Sequence, residues 1–265
     1  MSGSVASGAG GGRPGLPGVF AALVAAGVLG SVAVVPYSAG LLARAPGVEV
    51  SVGALLVAQA VQGLVLTAVA AGLGLWLGGR VGLGAWDVRA LLAGGEGRRA
   101  VLRGLPAALG LGLAAGVVLT AASMAGAPLA EGALGRVEHP PAWQGLLAAF
   151  GAGVTEEIWL RLGAMSVLAW AGARLLRRER PPGGVFWAAI AISALLFGAG
   201  HLPLAAALGG LGGAVVLFVL AANGVVGLLC GWLYWRRGLL AAMAAHFAAD
   251  VVLHFLAPAL GLAAS

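Results

Sequence analysis

From Pro181 to Trp235 the chain carries no Asp, Glu, Lys or Arg. A water-facing fold needs charge along a stretch of that length, whereas a membrane helix needs its absence. About 20 apolar residues, rising 1.5 Å each, cross the hydrocarbon core. The stretch therefore reads as two crossings joined by an apolar turn near Pro203 and the Gly209–Gly210 pair. The same pressure acts on the whole chain. Hydrophobic residues make up 61% and charged residues 9%, against roughly 25% charged in soluble domains, so most of the surface must face lipid. Further apolar stretches run over about 19–43, 52–78, 104–127, 142–173 and 238–262. With 185–201 and 209–235 they predict an all-α, polytopic transmembrane helix bundle of seven spans, or eight if one stretch divides.

Residues 1–18, rich in Gly and Ser with Pro14 and Pro17, are expected to form a disordered tail ahead of a single transmembrane domain over 19–265. No short apolar core followed by a small-residue cleavage site marks a removable signal. Cys230 stands alone, which rules out an intrachain disulfide and sets aside a cysteine-based metal site. The 15 basic residues are all Arg, and they cluster. One group is Arg80, Arg89, Arg98, Arg99 and Arg103; a second is Arg174, Arg177, Arg178 and Arg180; a third is Arg236 and Arg237. The alternate loops are poor in Arg. The positive-inside rule then puts these segments and the N-terminus in the cytoplasm, for a protein of the plasma membrane. Trp76, Trp187, Trp232 and Trp235 fall near the same helix ends, where indole rings favour the interface. Residues 86–92 are expected to lie along the membrane surface. No aromatic–basic patch accompanies the charge, which argues against a nucleic-acid partner.

Against this background, three apolar segments each carry ionisable groups: Glu156, Glu157 and Arg161; His201; His246 and Asp250. Such a group at the bilayer centre costs roughly 2.5–3.5 kcal/mol on insertion scales. Three segments bearing them are expected to share one polar site. Glu157 and Arg161 are four apart and face the same way, so they can form an ion pair. Glu156 points about 100° away, free for another partner. His246 and Asp250 are also four apart, as are Phe197 and His201, and a carboxylate beside an imidazole can orient its tautomer. Glu and two His can hold a divalent metal, or position one water with Glu as general base.

The order E-E-x-x-x-R, F-x-x-x-H, H-x-x-x-N/D resembles the CPBP intramembrane protease family, which includes CAAX prenyl endopeptidases and bacterial immunity-type proteins. The resemblance covers about 142–255. It implies an intramembrane endopeptidase in which Glu156 activates water, Glu157 and Arg161 support the site, His201 and His246 bind the water or the oxyanion, and Asp250 fills the Asn-or-Asp position. It implies a membrane-associated peptide or protein as substrate, and leaves open whether a divalent metal such as zinc sits on Glu156, His201 and His246 or none is used. The chain departs from the pattern in one place, with Leu162 where Gly commonly follows the Arg. Two other classes fit the same residues: a catalytically silent immunity or scaffold protein, and a transporter or proton relay. His254 extends the 246, 250 progression and reads as interfacial. Asn223 reads as an interhelical hydrogen-bonding residue and His139 as a solvated loop residue.

Overall fold

The computed structural model describes residues 15–45, 47–134, 140–208 and 210–262, with backbone only over 126–134. Most of the expected tail, His139 and Gly209 lie outside the described residues. Within them the chain is all helix, with no strand. Helix α1 (Leu16–Ala33) passes through Val34 into α2 (Val35–Leu42), the break falling just before Pro36, which cannot donate to the preceding turn. Helix α3 (Val52–Leu73) starts at Ser51, whose Oγ accepts from the Ala54 amide at 3.3 Å, and ends in a π turn, Gly74–Gly78. Then come α4 (Trp86–Ala93), α5 (Gly95–Leu134) and α6 (Ala142–Glu156). A π-helical segment, Glu157–Met165, leads directly into α7 (Ser166–Leu175). Helices α8 (Gly183–Leu208), α9 (Gly213–Arg237) and α10 (Leu239–Asp250) follow, then a π segment, Val251–Leu256, and the short α11 (Ala257–Ala259).

Six helical runs are long and apolar enough to cross a membrane: Leu16–Leu42, Val52–Gly78, Gly95–Ala125, Gly183–Leu208, Gly213–Arg237 and Leu239–Ala259. The seventh expected crossing is the continuous run from α6 through α7, whose middle carries the ionisable residues. Pro203 does not mark the turn; it lies inside α8, and the chain reverses between Leu208 and Gly213. Membrane helices tolerate such a proline because small local adjustments re-satisfy the freed carbonyl.

Helix α10 is the axis of the bundle, packed against α5, α6 and α9. Lipid supplies no hydrophobic drive between helices, so close backbone approach through small residues must do the work. Gly112 and Gly116 of α5 lie against the Ala245 and Ala249 backbone, and Gly145 and Gly153 of α6 against His254 and Phe247; a Cβ at any of the four would collide or crowd. Gly227 and Gly231 likewise seat α9 on Ala194 and Ile190 of α8. Leu162, where the resembled pattern has Gly, is fully buried against Gly74, so the small residue has moved to the facing helix.

The Arg-rich segments meet at one end of the bundle. The Gly84 amide donates to the Tyr234 hydroxyl at 2.9 Å, and that hydroxyl pairs with Ser166 Oγ at 2.9 Å. Helix α4 does turn Trp86 outward, but Asp87 is buried rather than surface-lying. Its Oδ2 accepts from the Leu240 amide at 2.6 Å, capping α10 from another helix. Gly238, at φ +100°, passes so close that a Cβ would strike this carboxylate.

Candidate active site

The polar residues converge where α6 gives way to the π-helical segment. Widening a helix by one residue re-aims side chains, and such turns recur at functional positions. Glu157 and Arg161 stay on one face and pair at 3.2 Å, both fully buried. Glu157 has a second partner that its spacing did not disclose: its Oε1 lies 2.8 Å from His246 Nδ1. A carboxylate only accepts, so Nδ1 carries the proton and Nε2 is turned the other way. There it meets Asp250 Oδ2 at 3.5 Å and Glu156 Oε2 at 3.7 Å. The close orienting carboxylate of His246 is therefore Glu157 on the neighbouring helix, and Asp250, one turn along, stands on the opposite side of the ring.

His201 is held differently. Its Nδ1 donates to the Phe197 carbonyl at 2.9 Å, which leaves Nε2 available. The Phe197 ring makes edge contacts with both imidazoles, at 4.9 Å to His201 and 5.3 Å to His246. His201 lies within electrostatic reach of Glu156 but has no carboxylate within 4.0 Å among the described residues. Five of the six ionisable residues thus form one contacting cluster, and His201 stands across a gap from it.

The gap is chemically informative. Glu156 Oε2 is buried with no hydrogen-bond partner, although the side chain as a whole is 25% exposed. Separations of 3.5 and 3.7 Å are too wide for direct hydrogen bonds and leave a shared position for a bridging group. A water suits that position, and the imidazole and carboxylate donors equally suit zinc. A third donor set lies deeper: Glu157, Cys230 and His246 offer atoms within 4.8 Å of one another. Cys230 had been set aside for want of a second Cys. Its neighbours are already committed, however, Glu157 to His246 and Arg161, and Cys230 to the Ala242 carbonyl at 3.6 Å.

Two contacts, Tyr37 with His254 and Trp159 with Thr67, have no sequence spacing to reveal them. Tyr37 of α2 bonds His254 Nδ1 at 3.1 Å, and His254 Nε2 lies 4.0 Å from Asp250 Oδ1. His254 is thus joined to the cluster rather than merely interfacial. Trp159 Nε1 donates to Thr67 Oγ1 at 2.9 Å, pinning α3 beside the site. Asn223, expected to bond across helices, instead donates to Val219 of its own helix at 2.8 Å.

No curated protein and no solved structure matches the chain. A family model does: type II CAAX prenyl endopeptidase Rce1-like, over residues 138–252. That span, somewhat under half of the chain, holds all six ionisable residues and excludes Tyr37 and His254. Residues 138–252 therefore match the Rce1-like family, in support of the CPBP/CAAX resemblance, within an integral membrane protein of all-α fold.

Proposed function

We propose that the protein is an intramembrane endopeptidase in which Glu156 takes a proton from a water that it shares with His246 and Asp250. One observation carries this reading: the buried, unpartnered Glu156 Oε2, 3.7 Å from His246 Nε2. A carboxylate with a free lone pair, kept from bulk water, is a competent general base. The water attacks the scissile carbonyl as Glu156 takes its proton, and Glu156 then returns that proton to the leaving amine. The products are a carboxylate and an amine. Glu157, accepting the hydrogen bond from Nδ1–H, orients the His246 ring so that Nε2 faces the shared water and the developing oxyanion. His201 offers Nε2 from the other side of the gap. Arg161 holds Glu157 in place.

A divalent metal such as zinc would be held by Glu156, His201 and His246, and would supply a more acidic bound water. The substrate in this reading is a membrane-associated peptide or protein. In this reading the N-terminus lies in the cytoplasm, an orientation supported by the distribution of Arg, and the protein resides in the plasma membrane. The test is activity on a membrane-peptide library before and after chelation. We expect cleavage to survive chelators and to fail in Glu156→Gln. Loss on chelation with rescue by zinc would assign the metal route instead. Full activity of the Gln variant overturns both, since Gln cannot accept the proton.

A further inference from the structure

Away from the candidate active site, at the Arg-rich end of the bundle, a cavity of about 580 Å³ lies between the end of α7 and the loop after the first π turn. Arg80, Arg174, Arg177 and Arg178 line it with Val81, Trp170, Ala173 and a single carboxylate, Glu179. None of the four guanidinium groups makes an ion pair among the described residues. Arg174 leans on the Trp170 ring, 5.7 Å from its centre, and the Trp170 indole N–H has no partner among the described residues. Arg80 is tethered by its bond to the Trp76 carbonyl at 2.6 Å.

The backbone adds an independent sign. Helix α7 ends with Arg178 N–H bonded to the Ala173 carbonyl and Arg177 N–H to the Arg174 carbonyl, at 2.9 and 3.0 Å. That closing pattern puts one residue in the left-handed region, a position usually taken by Gly. Here it is Arg177, at φ +52°. A residue with a Cβ is strained there. The positive-inside rule needs Arg in this loop, but not at its one strained position. Four unpaired guanidinium groups also outweigh the half negative charge of the α7 C-terminus.

The neighbourhood points to lipid. Leu175 is 85% exposed, between Arg174 and the strained turn, and Leu176 and Trp76 are also exposed. Apolar side chains interleaved with Arg mark a segment at the level of lipid headgroups, where basic pockets recognise anionic lipids. We propose that this cavity binds the phosphate headgroup of an anionic membrane lipid, with Arg174, Arg177 and Arg178 as its principal contacts and Leu175 and Leu176 against the acyl chains.

The test uses the full-length protein in a neutral detergent, titrated with phosphatidylglycerol, with phosphatidylcholine and with inorganic phosphate. Bound lipid is counted by native mass spectrometry, and unfolding is followed by tryptophan fluorescence. Wild type should retain phosphatidylglycerol in preference to phosphatidylcholine and melt higher in its presence. Each Arg removed should weaken phosphatidylglycerol binding about fivefold. Arg177→Gly is the discriminating variant: it relieves the strained turn, so it should melt at or above wild type without lipid while binding phosphatidylglycerol more weakly. Arg178→Gln, at an exposed position, provides a second variant. Equal binding of phosphatidylglycerol by wild type and both variants, or no preference over phosphatidylcholine, overturns the proposal. Equal protection by millimolar inorganic phosphate overturns the lipid assignment in favour of a free phosphate.

Discussion

Glu157 illustrates how much a single side chain does here and how little of it spacing reveals. Its i,i+4 relation to Arg161 was readable from the sequence; its bond to His246, on a helix far along the chain, was not. The ion pair is fully buried, so removing one partner strands the other's charge at roughly 3–5 kcal/mol. Glu157→Ala should therefore lower the melting temperature sharply, whereas Glu156→Gln, at an oxygen that bonds nothing, should leave it nearly unchanged. Thermal unfolding in detergent checks both. Asp250 sits on the open side of His246 and should behave more gently. Asp250→Asn keeps a hydrogen-bonding side chain and should retain substantial activity with a shifted pH optimum; Asp250→Ala should lose more and His246→Ala more again. The double variant should cost little beyond His246→Ala, because the two act through one position. Strict additivity would place Asp250 in another role, with His254 and Tyr37. Tyr37 itself was invisible to sequence reasoning, being a lone polar aromatic in an apolar helix with no motif around it.

At the scale of the helix, apolar stretches were legible because hydrocarbon imposes a length and excludes charge. Their boundaries were not, because a span can run on as a π turn or carry a proline within it, as α8 does. Packing was legible only as a surplus of small residues. Which glycines touch which helix depends on rotation about the helix axis, and in so Gly-rich a chain no pattern singles them out. Gly112→Leu should separate α5 from α10 and abolish activity with a lower melting temperature, whereas Gly104→Leu, with open space around it, should be tolerated. Helix α4 makes a separate prediction. Burial raises the Asp87 carboxyl to about 6, although the Leu240 and Val88 amides oppose the shift. The folded chain thus holds a proton that the unfolded chain releases, so this residue's contribution to stability falls as pH rises from about 4 to about 6. Asp87→Asn keeps an acceptor for the Leu240 amide and should flatten the fall of melting temperature over that window. An unchanged pH profile would contradict the assignment.

For the molecule as a whole, composition and three short motifs were enough for the class of fold and the family, since both rest on features that survive without coordinates. The arrangement within the site was not, because it depends on α10 being enclosed by α9 together with α5 and α6, two helices from distant parts of the chain. The proposed orientation has its own test. Arg98 replaced by Cys, in a Cys230→Ala background, should resist an impermeant thiol reagent added outside intact cells and react once the membrane is opened. Labelling from outside would invert the topology. The central claim, hydrolysis by water that Glu156 activates, is tested most directly by the initial rate at which purified protein cleaves a membrane peptide, wild type against Glu156→Gln at matched melting temperature. The account predicts a loss of about 10²–10⁴-fold, the range a general base supplies. An undiminished rate in a folded Glu156→Gln protein would contradict it.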